Sequence, residues 1–159
     1  MKYKAVLFDL DGTLLDTLND LADSMNAALE KMGYPTHNTE GYKYYVGDGV
    51  LNLVKRTLPE DKLQDNTIEE ALEANKEEYQ KRWHNKTRLY DGIPELLNFL
   101  EHNNIPKVVL SNKPHEFTEK VVAHFLKDWQ FEIVQGVDIN TPKKPDIKGA
   151  LNIAKKLNI

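Results

Sequence analysis

Lys4-Ala5-Val6-Leu7-Phe8-Asp9-Leu10-Asp11-Gly12-Thr13 is the stretch whose reading decides the fold. Residues 4–10 form an apolar run, which predicts a strand buried on both faces, the kind found in parallel sheets. The Asp-Leu-Asp-Gly-Thr segment closes that strand at its carboxyl end, where open α/β sheets bind ligands. Alternation along a strand turns residues two apart the same way, so Asp9 and Asp11 are expected to face one pocket. Gly12 permits a tight turn in which main-chain N–H groups, including that of Thr13, approach an anion. Two carboxylates in one pocket divide chemical labour: one attacks as a nucleophile, the other trades protons. Like charges that close need a cation, and a hard Mg²⁺ held by Asp9 and Asp11 is the expected one.

Outward from this strand the periodicity changes twice. Leu18, Leu21, Met25, Ala28, Leu29 and Met32 recur at spacings of three and four, the apolar face of a helix. Asp16 or Thr17 caps it, and Gly33 with Pro35 ends it. Residues 42–45 and 50–58 read as two short helices around the turn Val46-Gly47-Asp48-Gly49. Thr67-Ile68-Glu69-Glu70 has the form of a capping box and opens a polar helix carrying Leu72, Tyr79 and Trp83. From 16 to 88 every signal is helical. Helix and strand then alternate. Pro94 opens a helix that uses Leu96, Leu97 and Leu100, and residues 107–110 form a strand. A helix over 115–126 carries Phe117, Val121, Val122 and Phe125 on one face. A strand over 131–134 and a last helix over 146–158, with Ile147, Ala150, Leu151, Ala154 and Leu157, complete the pattern. Strands alternating with helices imply a parallel sheet covered on both faces. The fold class is therefore α/β: a Rossmann-like core from residues 1–15 and 89–159, with a helical domain inserted at 16–88.

Composition narrows the function classes. The 159 residues carry 21 Lys+Arg against 25 Asp+Glu, a net charge of −4. That balance argues against a nucleic-acid protein, which usually needs a clustered basic surface. With no cysteine, disulfides, thiolate metal sites and cysteine nucleophiles are excluded. No apolar run approaches the roughly 20 residues of a membrane span, and Lys2 and Lys4 are not followed by a secretory apolar stretch. The expectation is a cytoplasmic protein with no membrane and no nucleic-acid partner. His37, His84, His102, His115 and His124 show no paired ligand spacing and read as surface residues or residues of the helical insert. Trp83 and Trp129 read as packing.

Phe8-Asp9-Leu10-Asp11-Gly12-Thr13-Leu14 resembles the first motif of the haloacid dehalogenase superfamily, and within it the phosphoglycolate phosphatase-like members. The resemblance runs over essentially the whole chain and includes the helical insert, which it implies is a cap domain of the first (C1) type. Val108-Val109-Leu110-Ser111-Asn112-Lys113-Pro114 is similar to the second motif, in which Ser111 donates to a phosphoryl oxygen and Asn112 helps orient it. Thr141-Pro142-Lys143-Lys144-Pro145-Asp146 is similar to the third, with Lys144 in the aligned position and Lys143 beside it. The resemblance implies an Mg²⁺-dependent phosphomonoester hydrolase acting on a small phosphorylated metabolite. Asp9 would form an aspartyl-phosphate, and Asp11 would protonate the leaving alkoxide and then activate water. Mg²⁺ would sit on the Asp9 carboxylate and the Asp11 carbonyl.

One departure stands out. The family's fourth motif, an acidic loop after a further core strand, has no counterpart before Ile159. Gly47-Asp48-Gly49-Val50-Leu51-Asn52 imitates it only superficially, ends in Asn52 rather than an acid, and lies in the insert, where it reads as a loop facing the substrate. A chain without that end is expected to bind Mg²⁺ weakly, turn over slowly, and leave its first strand at a sheet edge open to self-association. A sugar phosphomutase on the same Asp9/Asp11 pair, and a non-catalytic protein binding phosphate or a partner, are the other readings.

Overall fold

The computed structural model describes residues 3–159. Met1 and Lys2, which open the expected core segment, lie outside the described residues. In chain order the elements are β1 (Val6–Phe8), β2 (Leu15–Asp16), α1 (Leu18–Lys31), α2 (Tyr42–Tyr45), α3 (Val50–Thr57), α4 (Asp65–Arg82), β3 (Arg88–Leu89), α5 (Ile93–His102), β4 (Lys107–Pro114), α6 (His115–Phe125), β5 (Ile133–Val137) and α7 (Lys148–Lys156). The chain divides into two compact units: a helical one, Thr17–Arg88, and an α/β one formed by the residues up to Asp16 together with Leu89–Ile159.

The α/β unit is built on a parallel sheet of order β1-β4-β5. Val6 pairs with Lys107 and Phe8 with Val109, while Val108 pairs with Ile133 and Leu110 with Gln135. Val108, Val109 and Leu110 are buried in succession, as a strand covered on both faces demands. The strand β1 forms one edge of this sheet among the described residues. The reading of 107–110 as a complete strand is corrected: β4 continues to Pro114, which pairs with Val137 after a register shift beyond Leu110. Ser111, Asn112 and Lys113 are thus held inside a strand rather than in the turn after it. The third strand is likewise displaced, to 133–137 instead of 131–134.

Close packing at two glycines sets the helices against this sheet. A Cβ at Gly136 on β5 would lie 2.6 Å from the Lys113 carbonyl oxygen and 2.7 Å from the His115 Cα. A Cβ at Gly149 on α7 would lie 3.2 Å from Leu110 Cδ1. The second contact explains a correction. The expected apolar face of the last helix included Ile147, Ala150 and Leu151, yet all three are exposed, and Gly149 and Ile153 are buried instead. The bare Gly149 lets α7 turn this narrower face onto Val108 and Leu110.

The helical unit has its own core of Ala22, Met25, Ala28, Leu29, Tyr42, Leu53, Val54, Leu58, Ile68 and Ala71. The expected capping box at Thr67 does not form. The helix α4 starts at Asp65, Ile68 N already donates to Gln64 O at 3.0 Å, and Thr67 is buried within the first turn. The short strands β2 and β3, too brief for a periodicity to announce them, pair as a separate two-stranded sheet. Near these crossings the buried Asp20 carboxylate accepts from Lys86 N at 3.0 Å, Thr87 N at 2.8 Å and Thr87 Oγ1 at 2.7 Å. It thereby ties the start of the helical unit to its end.

A second buried acid joins α1 to α4. Glu78 is 3% exposed, with Lys31 Nζ at 2.6 Å, Lys81 Nζ at 2.7 Å and the Arg82 guanidinium also on its carboxylate. Lys31 foremost, then Lys81, holds its carboxyl down at about 2. A depressed carboxyl stabilises the fold above its ordinary range near 4.5 and loses that contribution as pH falls toward about 2. Glu78→Gln is therefore expected to cost the helical unit about 1–2 kcal/mol at neutral pH, less than the full shift because Lys31 and Lys81 are half exposed and screened. Thermal unfolding followed by circular dichroism checks this. The gap between wild type and variant should close on acidification toward pH 2, and a gap that persists there contradicts the assignment.

Candidate active site

The turn after β1 is anchored by leucines. Leu10, Leu14 and Leu15 are fully buried. The Leu10 carbonyl accepts from the N–H groups of Thr13, Leu14 and Leu15 at 3.3, 3.0 and 3.1 Å, and Gly12, at φ +77°, donates its N–H to Leu15 O at 2.8 Å. This corrects one expectation. The Gly12 and Thr13 amides are consumed in closing the turn, so they are not offered to an anion. Gly12 supplies the left-handed conformation instead.

With the turn fixed, Asp9 and Asp11 stand at its rim, and each has its own ammonium. Lys144 Nζ lies 2.9 Å from Asp9 Oδ1, which also accepts from Leu10 N at 2.8 Å. Lys113 Nζ reaches both oxygens of Asp11, at 2.9 and 2.8 Å. The two pairs differ in setting. Asp9 is 43% exposed and Lys144 29%, whereas Lys113 is only 4% exposed and Asp11 22%. The four side chains sum to zero charge. The repulsion between the acids, expected from the sequence to call for a metal, is met in the chain itself by two lysines.

The strand β4 carries Ser111, Asn112 and Lys113. Asn112 clamps the main chain of Lys144 from both sides: its Oδ1 accepts from Lys144 N at 2.6 Å, and its Nδ2 donates to Lys144 O at 3.2 Å. Ser111 is buried, and its Oγ accepts from Lys113 N at 3.2 Å. The loop from β5 to Lys144 is shaped by Asp138, whose Oδ1 accepts from Asn140 N and Thr141 N at 2.8 and 2.7 Å. The Asn140 N–H foremost holds the Asp138 carboxyl below its ordinary range. Lys144, the aligned lysine, carries its ammonium to Asp9.

The structure thus brings Asp9, Asp11, Ser111, Asn112 and Lys144 together in the α/β unit. Gly47, Asp48 and Gly49 belong to the helical unit, where the Asp48 carboxylate pairs with Arg56 and the Asp48 carbonyl accepts from Asn52 Nδ2 at 3.2 Å. Lys113 is the residue that sequence reasoning passed over. The available signal was its place two residues beyond Ser111 on one strand. Among the described residues, no group of three or more His, Cys, Asp or Glu side chains is suited to hold a metal. No helix of the described residues is long and apolar enough to cross a membrane.

An Asp-x-Asp turn at the end of a parallel strand, with a serine on the next strand and a lysine beyond the third, defines a family. The chain belongs to the haloacid dehalogenase-like hydrolases, whose family model matches residues 6–159. It is 35% identical to a phosphoglycolate phosphatase of Nitrosospira multiformis over 98% of this chain and 70% of that protein. It is 32% identical to a phosphoglycolate phosphatase of Psychrobacter arcticus over 100% of this chain and 72% of that one. The solved structure of a provisionally named phosphoglycolate phosphatase from Lactobacillus delbrueckii subsp. bulgaricus aligns with a TM-score of 0.91 at 28% identity, over 100% of this chain and 75% of its own.

The Asn112 clamp yields a direct test. Asn112→Ala removes the side-chain acceptor of the Lys144 amide, a bond worth about 1–1.5 kcal/mol. Amide exchange at Lys144, followed by nuclear magnetic resonance, should accelerate roughly five- to tenfold. Unchanged exchange would show that something else fixes this loop.

Proposed function

We propose that this chain is an Mg²⁺-dependent phosphomonoester hydrolase of the phosphoglycolate phosphatase type, acting on a small phosphorylated acid through an aspartyl-phosphate. The observation that carries this reading is the double pairing at the end of β1, Asp9 with Lys144 and Asp11 with Lys113. The relatives named for phosphoglycolate hydrolysis support the choice of substrate class.

In this reading the half-exposed Asp9 is the nucleophile. Its carboxylate oxygen bonds to phosphorus as the bond from phosphorus to the ester oxygen breaks, and Asp11 gives a proton to the departing alkoxide. Asp11 then takes a proton from a water molecule that attacks the aspartyl-phosphate, releasing inorganic phosphate and restoring Asp9. In the same reading the Lys144 ammonium stabilises charge on the transferring phosphoryl group, and the Ser111 hydroxyl donates to one of its oxygens.

The donor set suits a hard dication bound largely by water and phosphate. It offers one carboxylate oxygen of Asp9 and the Asp11 carbonyl, with no third acid among the described residues. Charge points the same way: four side chains that already sum to zero leave an incoming phosphate dianion uncompensated. When bound, Mg²⁺ supplies two positive charges and a Lewis-acid contact to a phosphoryl oxygen.

Phosphate release from 2-phosphoglycolate, measured with and without Mg²⁺, tests the proposal. Asp9→Asn should lower it by about a thousandfold or more while leaving the fold intact, and chelation of Mg²⁺ should abolish it. Release that survives Asp9→Asn excludes Asp9 as the nucleophile. Conversion of a sugar phosphate to its isomer without free phosphate would instead identify a mutase.

A further inference from the structure

We propose that Lys113 is the positioning residue for Asp11: it fixes the carboxylate in place and compensates its charge once the proton has passed to the leaving group. The inference rests on the reading of Asp11 as the proton donor and extends it to a residue not assigned a role by its motif.

The argument starts from the asymmetry of the two ion pairs. Lys144 sits on a loop and is 29% exposed, so its charge is partly borne by water. Lys113 is 4% exposed, and a buried ammonium needs an anionic partner. It spends two donors on the two oxygens of one carboxylate. The main chain that carries this ammonium is also anchored. Lys113 lies within β4, its N–H donates to the buried Ser111 Oγ, and its carbonyl passes so close to Gly136 that no Cβ fits there. Asp11 stands outside the parallel sheet and is more exposed. Of the two partners, the lysine is the fixed point.

Two N–H bonds on one carboxylate suit the form that Asp11 takes after donating to the alkoxide and before receiving a proton from water. To act as an acid it must carry a proton on one oxygen and release one of the two Lys113 bonds. The proton moves from Asp11 to the ester oxygen as the phosphorus–oxygen bond breaks, and the second Lys113 bond re-forms on the carboxylate left behind. Lys113 thereby stabilises the product of proton transfer and touches neither phosphorus nor the leaving atom.

A role exercised through proton donation has a signature that simple structural support lacks. An alkoxide leaving group needs the proton, whereas p-nitrophenolate departs without it. The ratio kcat/KM reports only steps up to departure of the leaving group, so the later hydrolysis does not blur the comparison. Lys113→Met should lower kcat/KM for 2-phosphoglycolate by about 100-fold, within the range of general-acid contributions, but for p-nitrophenyl phosphate by less than about tenfold. Lys113→Arg, which keeps the charge, should recover part of the loss and covers the case in which the methionine variant does not fold. Equal losses on both esters overturn the proposal while leaving the phosphatase reading intact. Absence of Asp9-dependent release from the wild-type chain with either ester overturns that reading, and this inference with it. A second readout needs no turnover. In protein labelled with ¹⁵N-lysine, the Lys113 Nζ protons should give a slowly exchanging signal that Asp11→Asn removes, and a signal indifferent to that change also overturns the pairing.

Discussion

Two carboxylates two residues apart on one turn repel each other, and the α/β unit is organised around relieving that repulsion. The relief comes from two directions. Lys113 arrives along β4, inside the sheet, and Lys144 arrives from the loop beyond β5. Neither lysine is placed by its own side chain alone. Asn112 holds the main chain of one through a reciprocal amide clamp, and Ser111 with Gly136 fixes the main chain of the other. The serine and asparagine of the second motif therefore act first on the scaffold of the cations. The site is a quartet of two acids and two lysines, and neutral polar groups hold the main chain of both lysines.

Much of this was legible in the sequence. The apolar run ending in Asp9-Leu10-Asp11-Gly12 announced the strand and the acids, but not its burial: β1 is confined to Val6–Phe8 and, at the sheet edge, leaves Leu7 exposed rather than covered on both faces. The long helical stretch and the later alternation of helix and strand were equally plain, because both rest on periodicity over many residues. The failures share a different cause. Lys113 meets a residue 102 positions away, and its place two residues beyond Ser111 does not by itself name that partner. The apolar residues 147, 150 and 151 suggested a helix face that the absence of a side chain at Gly149 rotates out of the core. Thr67 has the spacing of a cap, yet the helix begins two residues earlier so that Ile68 and Ala71 can enter the core. In each case tertiary packing overrode a local signal.

The buried acids of the helical unit show a complementary use of charge. Glu78 gathers Lys31, Lys81 and Arg82 and so fastens α1 to α4. Asp20 works through hydrogen bonds instead. It collects main-chain N–H groups and a hydroxyl from Lys86 and Thr87. Acids at the hydrolytic site face cations and water, whereas these two are used up in structure. Burial among their hydrogen-bond and ion-pair partners separates the two uses.

The Asp20 clamp has a consequence for how such a chain is assembled. Closing a long flexible loop costs entropy that grows slowly with its length. By tying Lys86 and Thr87 to the start of α1, Asp20 brings the two ends of the inserted stretch together as part of that stretch's own folding. To the sheet-bearing unit, residues 17–88 then weigh as a short connection rather than a long one. An insertion closed in this way can lengthen, shorten or be exchanged with little effect on the stability of its host, which makes it a part of the chain free to diversify.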